Sequence, residues 1–236
     1  MPVLTEARSP APPAPAELAP RWHTAALLAL YLAVAGAGLL LTRHGAAPAI
    51  TQESGPRVAI YLPLIVVQLL LAFYVARFGR PRSALESLVG ERWTTARRAG
   101  VDLLLAVALC LAIRGLELAW SRLSGDHAPS IAALLPVSAV ERLVWAGASI
   151  IVGSCEELVF RGYFRIQLGA FTGRAWAAIV LQAAIFGVAH AQQGAASAAR
   201  IAIYGLLLGL VAQRRRSILP GAVAHIATDL LSGLAR

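Results

Sequence analysis

Residues 149–164 read SIIVGSCEELVFRGYF. The apolar run Ile150–Gly153 leads straight into two adjacent carboxylates, Glu156 and Glu157, and Arg161 follows inside a further apolar run. Ionisable groups at bilayer depth are costly, so each one is a functional hypothesis by default. Glu157 and Arg161 are four residues apart with the glutamate first, the favourable order for an ion pair on one helix face. Glu156 lies about 100° around the helix from Glu157. It shares Arg161 less well and stands as the spare carboxylate, a candidate for proton chemistry.

Outside this stretch the chain has the same apolar character. Of its 236 residues 58% are hydrophobic and only 14% charged, with a mean hydropathy of +0.68, where a soluble domain has roughly one-quarter charged residues. The apolar residues fall in blocks near the length that spans a bilayer. They predict an all-α polytopic membrane bundle of seven or eight transmembrane segments. Helices are expected at 24–41, 58–78, 100–120, 139–160, 174–191, 197–213 and 217–234. The short stretch 161–172 either extends the fourth helix or forms an interfacial one. Residues 1–22 read as a Pro/Ala-rich disordered tail without signal-peptide features, and residues 23–236 as one membrane domain.

The net charge is +9, and all 21 basic residues are arginine. A nucleic-acid surface would need a soluble domain to carry it, and the chain has no room for one, so no nucleic-acid partner is expected. The arginines instead set topology. They gather between Arg77 and Arg98 and at Arg214–Arg216, which places both loops and the N-terminus in the cytoplasm. The alanine- and arginine-rich composition suggests a bacterial inner (plasma) membrane. Cys110 and Cys155 lie in apolar blocks and indicate no disulfide framework.

Two more polar clusters lie in later blocks. His190 ends an apolar helix with Phe186 one turn before it, and His225 is followed one turn on by Asp229. Asp229 is placed to hydrogen-bond His225 and fix its tautomer. In this topology Glu156 lies near the cytoplasmic end of its helix and His190 near the far end of its own, so they meet only if a helix is broken or extended. Structural roles are expected for Arg114 with Glu117, as a pair, and for Asp102, Glu141 and Arg142 near helix ends. Gly147, Gly153, Gly205 and Gly209 are read as close-packing positions.

Read in order, the three clusters are EELVFR (Glu156–Arg161), FGVAH (Phe186–His190) and HIATD (His225–Asp229). This set resembles the CAAX protease and bacteriocin-processing (Rce1-like, or Abi) family of intramembrane proteases, whose pattern is EExxxR, FxxxH and HxxxN/D. The resemblance covers about 139–234. It implies seven or eight membrane helices around a polar cavity open to the cytosol, and an intramembrane endopeptidase acting on a membrane-embedded or membrane-anchored protein or peptide. It implies that Glu156 activates water, His190 helps position it, His225 and Asp229 form the oxyanion side, and Glu157 and Arg161 brace the motif. An ionised Asp229 cannot donate to an oxyanion; it must be protonated, orient His225 or bind a metal. Glu156, His190 and His225 are a candidate zinc set, and a metal-free glutamate mechanism is equally compatible. The competing readings are a non-catalytic immunity or scaffold protein that keeps the motif as a structural network, and, ranked last, a small proton-relay transporter.

Overall fold

The computed structural model describes residues 17–43, 57–78, 84–124 and 134–234. All named elements among them are helical: α1 (Arg21–Arg43), α2 (Val58–Phe78), α3 (Ala84–Val89), α4 (Ala96–Ser124) and α5 (Ala139–Glu156). A π-helical segment follows (Glu157–Phe164), then α6 (Arg165–Thr172), α7 (Ala175–Val188), a 3₁₀ turn (Ala191–Gln193), α8 (Ala195–Arg215) and α9 (Leu219–Leu234). Five of these stretches are long and apolar enough to cross a membrane: 21–41, 58–77, 96–123, 139–172 and 195–215. The other two expected spans, now α7 and α9, have 14 and 16 residues, short of the roughly 20 that cross a hydrocarbon core. Large apolar side chains such as Leu104, Leu111 and Phe73 point outward, as lipid-facing residues do.

The expected tail lies outside the described residues as far as residue 16. After it, Ala19 is buried, and Gln167 accepts hydrogen bonds from the Leu18 and Ala19 amides and donates to the Ala19 carbonyl. That anchorage fixes where α1 begins.

The uncertain stretch 161–172 extends the fourth helix. Residues 139–172 form one 34-residue helical rod. It starts at a capping box, in which Ser138 accepts from the Glu141 amide and Glu141 accepts from the Ser138 amide. It ends at Gly173, whose φ of 64° is the left-handed conformation that glycine adopts without strain. Glu141 is thus buried in a cap, also accepting from the Arg57 amide, and does not reach out to the interface.

The middle of the rod is its π segment. All eight π residues are buried. Leu158, Val159, Phe160, Tyr163 and Phe164 form the centre of a core that also takes in Leu27, Leu71, Val75, Phe186 and Ile201 from the surrounding helices. The register change is seen at Arg165, whose amide donates to the Phe160 carbonyl five residues back. Such wide turns are rare and concentrate at functional sites.

Around the rod, α2 and α9 pack on α5, α4 packs on α9, and α7 and α8 form a hairpin. The hairpin uses the expected small residues: a Cβ on Gly205 would come within 3.0 Å of Ala183, and one on Gly209 would collide with the Gln182 amide nitrogen. Gly147 is different, with nothing within 4 Å of a Cβ built there.

The two arginine-rich loops meet at one end of the bundle. Gly90 bridges Ser217, and the Ile218 amide donates to the Val89 carbonyl. Asp102, expected near the interface, is fully buried, 2.6 Å from Arg215 and hydrogen-bonded by Trp93. Glu91 pairs with Arg98 and with Arg216. The Arg98 hydrogen bond, aided by the Arg216 charge, holds the Glu91 carboxyl below the usual range.

Candidate active site

Glu156 is the last of the 18 α5 residues and stands at the midpoint of the rod, not near the end of a shorter helix. This extension resolves the depth conflict, because Glu156 and His190 line the same cavity of about 700 Å³. The rest of the lining is mostly apolar and comes mainly from α1 and α2, including Leu27, Tyr31, Leu64, Gln68 and Tyr74. Among the described residues the two helices make few contacts with each other. They are joined at one end, where the His23 ring stacks on Tyr74 with centroids 4.0 Å apart and the Tyr74 hydroxyl donates to the His23 carbonyl.

The carboxylates have different partners. Glu156 Oε1 accepts from Gln68 Nε2 at 2.7 Å, and its Oε2 lies 3.7 Å from His225 Nε2. Glu157 and Arg161 are fully buried, with Arg161 Nη1 2.9 Å from Glu157 Oε1. The contact is an ion pair without hydrogen-bond alignment, so the guanidinium has no hydrogen-bond partner among the described residues. The Phe186 ring also faces the guanidinium, its centroid 4.2 Å from the central carbon.

His225 Nδ1 is 3.1 Å from Glu157 Oε1. Since an ionised carboxylate only accepts, Nδ1 carries the proton. The expected His225–Asp229 hydrogen bond is replaced by this one: Asp229 Oδ2 is 3.8 Å from Nε2, beyond hydrogen-bond range. One helical turn brings the two side chains side by side, but the buried Glu157 takes the ring's donor. Asp229 is anchored through its backbone, whose carbonyl accepts from Trp145 Nε1 at 2.9 Å.

The Phe-x-x-x-His spacing has a local cause. His190 Nδ1 donates to the Phe186 carbonyl at 2.8 Å, the fourth residue back, which leaves Nε2 of the neutral ring as an acceptor. Phe186 packs edge-on against both histidine rings, with centroids 4.8 Å from His190 and 6.1 Å from His225. Among the described residues, no hydrogen bond or ion pair joins His190 to Glu156 or His225. The structure thus gathers Glu156, Glu157, Arg161, His225 and Asp229 into one cluster, with His190 lining the same cavity as Glu156 and Phe186 packed against both histidine rings.

The candidate zinc set does not fit as placed. Among the described residues no group of three or more His, Cys, Asp or Glu side chains is arranged to hold a metal ion.

The motif order and the shared cavity agree with a comparison against known families. Residues 138–231 match the Rce1-like family of type II CAAX prenyl endopeptidases. The Rce1-like region runs from the cap of α5 to the middle of α9 and contains all seven motif residues. The first four helices lie outside it. No curated protein and no solved structure matches the chain.

Two contributors to the site were missed in the sequence. Gln68 was legible as the one amide in the apolar block 58–78, a polar residue where polar residues are costly. Trp145 carried no signal, since a tryptophan in a membrane helix is ordinary.

Proposed function

We propose that the chain is a multi-pass bacterial inner-membrane endopeptidase that cleaves membrane-embedded or membrane-anchored proteins with a glutamate-activated water. The observation that carries this reading is the place of Glu156: a buried carboxylate on the wall of a mostly apolar cavity, with one oxygen held by Gln68 and the other turned toward His225. The match of the Rce1-like region supports it.

The residues divide the chemistry as follows. Glu156 takes a proton from water while the water oxygen bonds to the scissile carbonyl carbon and the carbonyl electron pair moves to oxygen. His190 Nε2, free of its backbone bond, accepts from the same water and orients it. His225 gives Nδ1–H to Glu157, so its Nε2 donates to the oxyanion only as an imidazolium. Asp229 beside that nitrogen offsets its charge. When the tetrahedral species collapses, the C–N bond breaks and the proton on Glu156 passes to the leaving amine. Glu157 and Arg161 hold His225 and the π segment in place. No step runs through a metal.

The test is a comparison of new protein N-termini in bacterial membranes carrying equal amounts of wild type or Glu156→Gln. A set of membrane-protein N-termini present with wild type and lost in the variant is expected. Identical profiles would sink the protease reading, and retention of a biological effect by the variant would favour the scaffold reading.

A further inference from the structure

We infer that Gln68, on α2 and outside the Rce1-like region, is a positioning residue that holds Glu156 in its working orientation; this rests on the endopeptidase reading. Gln68 Nε2 lies 2.7 Å from Glu156 Oε1, and both side chains are buried. A carboxylate accepts only, so the amide nitrogen must face it. Among the described residues this is the one hydrogen bond on the Glu156 side chain. The helices of the matched region therefore present the carboxylate without fixing its torsion, and α2 fixes it. With Oε1 tied to Gln68, Oε2 is the oxygen left toward His225, 3.7 Å away.

The other end of the amide argues against a merely structural role. Gln68 Oε1 is buried and has no hydrogen-bond partner among the described residues. Buried amides that serve packing alone are usually satisfied at both ends. Here one end is left unsatisfied so that the other can donate a charge-assisted bond to Glu156. The sequence context agrees: Val66-Val67-Gln68-Leu69-Leu70 puts one amide into an apolar stretch of α2, and that helix packs along α5. A small displacement of a reacting group costs on the order of 100-fold in rate, so a bond that fixes the base torsion matters to turnover more than to folding.

The experiment uses the full chain in nanodiscs and in bacterial membranes. With ¹⁵N-labelled glutamine, the Gln68 side-chain amide signal is identified by its loss in Gln68→Met, a substitution of similar length. That signal is expected to move in Glu156→Gln, where the charged acceptor is gone. In membranes, Gln68→Met is expected to lower the yield of wild-type-dependent N-termini at least tenfold while its melting temperature stays near that of wild type. Gln68→Asn, which keeps the amide on a shorter arm, is expected to recover part of the yield and replaces the methionine variant if that one does not fold. Wild-type yield from Gln68→Met, or an amide signal indifferent to Glu156→Gln, overturns the inference and leaves the protease reading intact. If wild type itself yields no new N-termini, the protease reading falls and the inference with it.

Discussion

Arg161 and Glu157 are both fully buried, and Arg161 has no hydrogen bond among the described residues to offset its desolvation. Its charge is met by one carboxylate and by the faces of Phe186 and, farther off, Phe160. Removing one partner of such a pair leaves an uncompensated charge and costs about 3–5 kcal/mol. Glu157→Gln is therefore expected to destabilise the protein by that amount in denaturant unfolding in micelles. Glu157→Gln combined with Arg161→Met is expected to cost less than the sum of the two single changes. The exposed Arg92–Glu86 pair is the control: breaking it is expected to cost about 0–1 kcal/mol. The Glu157–Arg161 partnership was legible because four-residue spacing on a helix is a local property. The partnership of Glu157 with His225, 68 positions away, was not, since which ring reaches a carboxylate depends on how α9 packs against the rod.

At the scale of the helices, the glycines separate packing positions from idle ones. Gly209 leaves room for Gln182, whose amide ties α7 to the Gly205 carbonyl of α8 at 2.9 Å. Gly209→Ala is expected to displace that amide and destabilise by about 1–3 kcal/mol. Gly147→Ala meets nothing and is expected to stabilise α5 by about 0.5–1 kcal/mol, the ordinary gain of alanine over glycine inside a helix. Thermal melts of the two variants in the same detergent check the opposite signs. The sequence pattern alone treated these glycines alike, because small-residue spacing shows where helices are able to approach and not which ones do. The π segment was likewise illegible: its residues carry no marker distinct from α-helical ones, and the wider turn arises where α3, α7 and the rod crowd together.

For the whole molecule, the contact between the two arginine-rich loops means that they share one side of the membrane, and positive-inside reasoning predicts that this side is cytoplasmic. In a chain lacking Cys110 and Cys155, a cysteine at the exposed position Arg216 is expected to react with a membrane-impermeant maleimide in inside-out vesicles only. A cysteine at the exposed position Val137, at the start of α5, is expected to react from the outside of intact cells. The reverse pattern would overturn the orientation. The Glu91 contacts also give this end a pH dependence. A carboxyl held below its usual range contributes stability above its unfolded-state pKa and loses it as the pH falls through the lowered value.

The helical membrane class, the three motifs, the pairing of Glu157 with Arg161 and the clustering of arginines between spans were all readable from the chain. Each depends on hydropathy, on spacing within one helix, or on which residues the bilayer excludes. The tertiary structure alone decided that 161–172 continues the fourth helix and so carries Glu156 to mid-rod, that His225 bonds Glu157 and not Asp229, and that Gln68 from the unmatched half holds Glu156. These are contacts between segments distant in sequence. Local periodicity says nothing about them, because they are set by how buried helices exclude voids and by which buried polar groups find partners.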